Sequence, residues 1–222
     1  ADTADMAQVR AVQRNILAGY ELDFAKHAPA AYIPKLTRIW ESIQAHLSRE
    51  NKRFLFSTVR HGARAREFED AVCWLRDAGL LRLAYCAESA GVPLAAHLKR
   101  ERFKAYALDT GLLSAMARID PAMLVAGGEI FSAYHGAFAE NYAAQQLGCV
   151  LDQELAYWKS DSRKAEVDFL WQRGDGVLPL EVKAGVNPHS KSLRAFRERF
   201  APRILLRSTL LNLRCDGGIL NI

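Results

Sequence analysis

Apolar and polar residues alternate twice in close succession in the last quarter of the chain. Val167, Phe169 and Trp171 occupy every second position, and Leu178, Leu180 and Val182 repeat the pattern after Gly174-Asp175-Gly176. A period of two predicts two strands, each with one apolar face, which leaves Glu166, Asp168, Glu181 and Lys183 on the opposite faces. Gly174-Asp175 suits a two-residue, Gly-first primed turn, and that loop sets Asp168 opposite Glu181 and Glu166 opposite Lys183. A three-residue turn would instead set Asp168 opposite Val182 and would need a bulge to restore the faces.

Elsewhere the pattern is helical. Ile33, Leu36, Ile39, Trp40, Ile43 and Leu47 predict a helix with Pro34 in its first turn, ended by the polar run Ser48-Arg49-Glu50-Asn51-Lys52-Arg53. Phe54 to Val59 reads as a short strand. Phe68, Val72 and Leu75 mark a second helix from Ala63 to Ala78, capped by Gly79. Leu80 to Ala87 and Phe103 to Leu108, around Gly91-Val92-Pro93, read as a hairpin. Helix, helix and hairpin together suggest a winged-helix-like module in residues 32–118. Asp120-Pro121 to Gly127-Gly128 combines a proline with paired glycines, so a linker is expected there and a second domain over residues 128–222.

That second part opens with a helix from Phe131 to Gly148 carrying two stripes. One is Phe131, Tyr134, Phe138 and Tyr142; the other is Ala137, Glu140, Ala144 and Leu147. Two such stripes predict burial on both sides, with Glu140 projecting from the small-residue side. After the alternating strands, Asn187-Pro188-His189-Ser190 leads into a helix with Ser190 as N-cap and Leu193, Phe196 and Phe200 inward. Ile204 to Leu206 and Leu210 to Leu213 read as further strands. The fold class is therefore α/β (α+β).

The acids at the paired strands set the chemistry. Two carboxylates opposed in a sheet repel, and a hard cation such as Mg2+ or Mn2+ is bound by carboxylate oxygens plus waters. Asp168 and Glu181 are the metal-ligand candidates. Lys183, two residues on from Glu181, is placed to orient or deprotonate a water or to neutralise a developing phosphate charge. The other reading is a half-exposed hairpin closed by a Glu166–Lys183 ion pair. Asp168 and Glu181 sit in runs as apolar as Val-Asp-Phe-Leu-Trp and Leu-Pro-Leu-Glu-Val, where a carboxylate loses solvent and needs a partner. Glu140 either joins them or lies at a helix edge.

Charge extends the picture to partners. The formal net charge of +5 suits an anionic partner such as nucleic acid. Arg60, His61, Arg64 and Arg66 lie at the start of the second helix, and Lys99, Arg100, Arg102 and Lys104 line the expected wing; Lys191, Arg194, Arg197 and Arg199 project from the late helix. Cys73, Cys86, Cys149 and Cys215 show no paired C-x-x-C spacing, so neither a zinc knuckle nor a disulfide framework is indicated. With no secretory signal and no apolar run of membrane-spanning length, a cytoplasmic protein with no membrane association is expected.

Asp168 followed by Glu181-x-Lys183 resembles the PD-(D/E)XK nucleases of the restriction-endonuclease-like fold, although Val167 stands where the name-giving motif has proline. The spacing is similar to that of Holliday junction resolvases, which add a Glu from the preceding helix, here Glu140. The resemblance implies an α/β/α domain with Glu140, Asp168, Glu181 and Lys183 as catalytic residues and Mg2+ at Asp168 and Glu181. Longer phrases, Arg102-Phe103-Lys104-Ala105-Tyr106-Ala107-Leu108-Asp109-Thr110-Gly111-Leu112-Leu113, Phe138-Ala139-Glu140-Asn141, Tyr157-Trp158-Lys159-Ser160 and Glu181-Val182-Lys183-Ala184-Gly185, resemble a domain-of-unknown-function family found C-terminal in prokaryotic AAA-type ATPases. Residues 1–31 then resemble the segment joining the ATPase lid to this region. No Gly-x-x-x-x-Gly-Lys-Ser/Thr loop occurs in the 222 residues, so ATP is expected only at an ATPase module preceding this fragment.

Two functions follow from the resemblance. One is metal-dependent cleavage of structured DNA, with Arg64, Arg66, Lys191, Arg194 and Arg197 contacting phosphates and a homodimer cutting two strands. The other is a non-catalytic output domain binding DNA or a protein partner.

Overall fold

A computed structural model describes residues 5–47, 53–121, 132–160, 165–186 and 189–222. Its elements run α1 (Met6–His27), α2 (Ile33–Leu47), α3 (Phe56–Val59), α4 (Ala65–Asp77), β1 (Leu81–Ala87), a 3-10 turn (Leu94–His97), β2 (Leu98–Ala107) and α5 (Thr110–Met116). They continue with α6 (Ser132–Val150), β3 (Leu155–Lys159), β4 (Glu166–Arg173), β5 (Gly176–Val182), α7 (Lys191–Phe200), β6 (Leu205–Ser208), β7 (Arg214–Asp216) and β8 (Ile219–Asn221). The mixed α/β class is as expected. The polar run 48–52, the linker glycines Gly127 and Gly128, the stripe residue Phe131 and the turn residues Asn187 and Pro188 lie outside the described residues.

Two compact units emerge, and their boundary does not follow the chain in one cut. The first comprises residues 1–82 and 105–134, the second residues 83–104 and 135–222. The hairpin expected as a wing of the N-terminal module thus contributes its residues 83–104 to the second unit.

In the first unit, Asp5 caps α1 by accepting from Ala7 N and Gln8 N at 3.0 and 3.2 Å. Phe24 is buried edge-on against Trp40 and Trp74, with ring centroids 6.1 and 5.8 Å away. Arg10 reaches the Ser114 hydroxyl and the Ile119 carbonyl at 3.1 and 2.8 Å. Burial lowers the affinity of this guanidinium for its proton, with Arg14 adding to the effect.

The aromatic and β-branched run Phe54 to Val59 is not the expected strand; its last four residues are the single helical turn α3. Phe54 stacks on the buried His46 at 4.1 Å, and the His46 ring links Ser42 O to Leu55 O at 2.8 and 3.0 Å. Those contacts occupy the segment locally. Composition favoured a strand, and tertiary packing overrode it.

Among the described residues the sheet has eight strands in the order β2-β1-β3-β4-β5-β6-β8-β7. β1 pairs parallel with β3, from Ala84 beside Leu155 to Ala87 beside Trp158. β3 and β4 are antiparallel with a bulge between Ala156 and Trp158, and β5, β6 and β8 are mutually parallel neighbours. The expected strand at 210–213 is absent: Leu210 and Leu213 are exposed, and the chain pairs instead through β7 and β8. Helix α6 runs on past the expected end at Gly148 to Val150, and Tyr142 on the expected apolar stripe is exposed. The core of the second unit gathers Ala156, Trp158, Val167, Leu170, Leu193, Phe196 and Leu205. Trp158 meets Phe196 and Phe200 edge-on at 5.4 and 5.7 Å.

Candidate functional site

The hairpin β4–β5 has the two-residue register. Phe169 pairs with Leu180, Trp171 with Leu178 and Arg173 with Gly176, around a turn in which Gly174 has a φ of 60°. That positive angle at the first central position is the reason glycine stands there. The ladder runs as far as Phe169 and Leu180, and Asp168 and Glu181 are the next residues on the two strands. Val182 N donates to Asp168 Oδ2 at 2.9 Å, so the backbone of β5 aims the carboxylate of β4.

Glu140 comes to the same place from α6. It is 2% exposed and lies between the buried Ala137 and Ala144, whose small side chains leave room for close packing of the helix.

The centre of the cluster is a residue that the sequence pattern had assigned to the wing. Lys104, on β2, is fully buried. Its Nζ lies 2.9 Å from Glu140 Oε1, 2.6 Å from Glu166 Oε1 and 3.8 Å from Asp168 Oδ1. It also stands 4.9 Å from the centre of the Tyr157 ring. A buried ammonium is tolerated only when paired and hydrogen-bonded, and these carboxylates supply both. The signal was available: Lys104 sits in Phe-Lys-Ala-Tyr-Ala, a run as apolar as those around Asp168 and Glu181.

Glu166 also meets Lys159 Nζ at 3.2 Å, whereas Lys183 turns to Glu181, its Nζ 2.6 Å from Oε1. The cross-strand Glu166–Lys183 pair of the simpler reading is thus replaced by two other pairings. Four carboxylates, Glu140, Glu166, Asp168 and Glu181, meet three ammoniums, Lys104, Lys159 and Lys183. Glu181 Oε2 is sealed from solvent and receives no hydrogen bond. Burial, with the Cys86 thiol beside it, pushes the Tyr157 phenol well above its ordinary value.

Among the described residues no three acidic, His or Cys side chains are grouped closely enough to enclose a metal ion by themselves. Mg2+ does not require such a cage, because it is commonly held by one or two carboxylates with waters and substrate phosphates. The donor-free oxygen of Glu181, with the amide of the following residue holding Asp168, fits that smaller ligand set.

The expected phosphate contacts divide. Arg64, at the N-cap of α4, and Arg66, on α4, are exposed in the first unit, and Lys191, Arg194 and Arg197 are exposed on α7 in the second. Arg197 is partly committed, since its Nη1 donates to Gly217 O at 2.9 Å. Other basic residues of the expected surface pair with acids: Arg60 with Glu67, Lys99 with Glu88, and Arg100 with Glu154 at 2.6 Å. These hydrogen bonds raise the proton affinity of Lys99 and Arg100. A groove of about 570 Å3 lined by Arg173, Asp175, Phe200 and Arg203 opens at the β4–β5 turn, and none of the four clustered acids lines it.

The molecule is therefore a mixed α/β protein whose second unit encloses an acid and lysine cluster. The chain belongs to the family described as Domain of unknown function (DUF8612), whose model matches residues 1–123. Residues 135–220 match a second model, Domain of unknown function (DUF4143). No curated protein and no solved structure gives a significant match. No helix among the described residues is long and apolar enough to cross a membrane.

Proposed function

We propose that this region is the effector part of a prokaryotic AAA-type ATPase and carries a restriction-endonuclease-like site for hydrolysing phosphodiester bonds in structured DNA. One observation carries the reading: a buried carboxylate oxygen of Glu181 without a hydrogen-bond donor, on the residue that holds Lys183 and that precedes Val182, whose amide binds Asp168. Burying such an oxygen unpartnered is costly, and a hard cation would satisfy it. Asp168 and Glu181 would hold Mg2+ or Mn2+, which when bound supplies Lewis acidity and an acidified water. The Val182 amide fixes the Asp168 carboxylate, and Glu181 Oε1 holds Lys183 Nζ at 2.6 Å. Lys183, about one-third exposed, is open to substrate and would stabilise charge developing on the phosphate. Arg194 and Lys191 on α7 would contact the DNA backbone by charge. The association with an ATPase, and with it ATP, rests on the family resemblance.

A second reading has its own support. Lys104 already pairs with three of the carboxylates, as expected of an output domain that binds DNA or a protein without cutting. The two separate in a cleavage assay on branched, flapped and single-stranded DNA with Mg2+ or Mn2+, using this chain alone and joined to its ATPase module. Cleavage abolished by Asp168→Asn and Glu181→Gln establishes the nuclease reading. No cleavage in either form leaves the output domain.

A further inference from the structure

We infer that Lys104 is a built-in counter-ion that organises the acids in the absence of metal and competes with a divalent cation for them. The inference rests on the metal-site reading of Asp168 and Glu181 and adds a positioning residue to it.

The argument is electrostatic. Glu140 and Asp168 approach each other across the same small volume as Glu166, and three buried or half-buried carboxylates there would repel strongly in low dielectric. The Lys104 ammonium cancels that repulsion at 2.9, 2.6 and 3.8 Å. It cannot be a surface cation caught by chance, because its side chain is fully buried and its charge lies over the Tyr157 ring. The same placement puts a positive charge against Asp168, one of the two proposed ligands. A divalent cation arriving there meets a like charge and must share Asp168 with it. Glu181 is different: its partner is Lys183, and its second oxygen has none. The site is thus held in shape without metal at the expense of affinity for it. Full occupancy would then await the extra negative charge of a phosphodiester.

The test uses Mn2+ itself, followed by the electron paramagnetic resonance signal of the free ion, with the intact 222-residue chain. Lys104→Met removes the charge and keeps the length; Lys104→Arg keeps the charge. The methionine variant should bind Mn2+ at least about tenfold more tightly than wild type, and the arginine variant should not. In chelator the methionine variant should melt below wild type, and Mn2+ should recover the difference. Asp168→Asn should abolish the tight binding in the methionine background, which places the ion. A folded Lys104→Met variant whose Mn2+ affinity is unchanged or weaker, while wild type binds, overturns the inference and leaves the metal site standing. A variant unfolded alike in chelator and in Mn2+ also overturns it, because Lys104 is then only a packing element. If wild type and Lys104→Met both fail to bind Mn2+, the metal site itself fails and the inference with it.

Discussion

The main-chain amide of Val182 donates to Asp168 Oδ2 at 2.9 Å, so a side chain of one strand is held by the backbone of the next. An amide oxygen can accept that bond as a carboxylate does. Asp168→Asn should therefore keep the fold, seen as an unchanged circular dichroism spectrum and cooperative melting, while losing Mn2+ binding and any cleavage. Asp168→Ala leaves the Val182 amide without this acceptor and should cost about 1–3 kcal/mol in denaturant unfolding.

The segment matched by the second family model should not fold by itself. Residues 135–220 contain β3 but neither β1 nor β2, and β1 supplies the parallel neighbour of β3 from Ala84 to Ala87. Expressed alone, this fragment would present an open sheet edge beside Trp158 and would lack Lys104 among its acids. The expected result is aggregation or non-cooperative unfolding by circular dichroism. A sharp thermal transition equal to that of the whole chain would refute it.

Tyr157 gives a pH prediction. Its phenol is held above the ordinary value of 10.0, mainly by burial. A raised folded value means that the unfolded chain loses this proton first. The contribution is complete below pH 10 and is lost as pH rises through the folded value. Melting temperatures of wild type and Tyr157→Phe should run parallel at neutral pH and diverge above about pH 10, with the phenylalanine variant the less sensitive to alkali.

Arg194 and Arg197 should behave differently although both are exposed on α7. Arg194→Ala should weaken DNA binding and lower its salt slope by about one unit, the signature of one lost phosphate contact. Arg197→Ala should also remove the hydrogen bond to Gly217 O at 2.9 Å and so lower stability, which a melting curve would separate from binding.

Where local rules decide structure, the sequence was legible. The two-residue turn at Gly174 marked the register of β4 and β5, and the stripe from Ile33 to Leu47 marked α2 to the residue. The expected alternation of β4, however, is interrupted where its pairing with β3 shifts, so that Val167 joins Leu170 in the core instead of sharing a face with Phe169. Glu140 and Asp168, each on a patterned element, both come to Lys104. What escaped depended on distant partners. Nothing local in Leu80 to Ala87 says that its neighbour is β3, some 70 residues on. Lys104 was misplaced because a cation in a basic stretch was read with its exposed neighbours rather than with the apolar residues flanking it. Leu210 and Leu213 were read as strand on composition, although the ladder is completed by residues 214–216 and 219–221.

Lys104 falls within the stretch matched by the first family model, whereas Glu140, Glu166 and Asp168 fall within the second. Chimeras between homologues joined in the interval between those stretches would therefore recombine a cation from one parent with anions from another. Where the parents differ at any of these positions, such hybrids would inherit mismatched charge in a buried place. The two halves are consequently bound to evolve as one unit of inheritance, linked by an ammonium rather than by the length of chain between them.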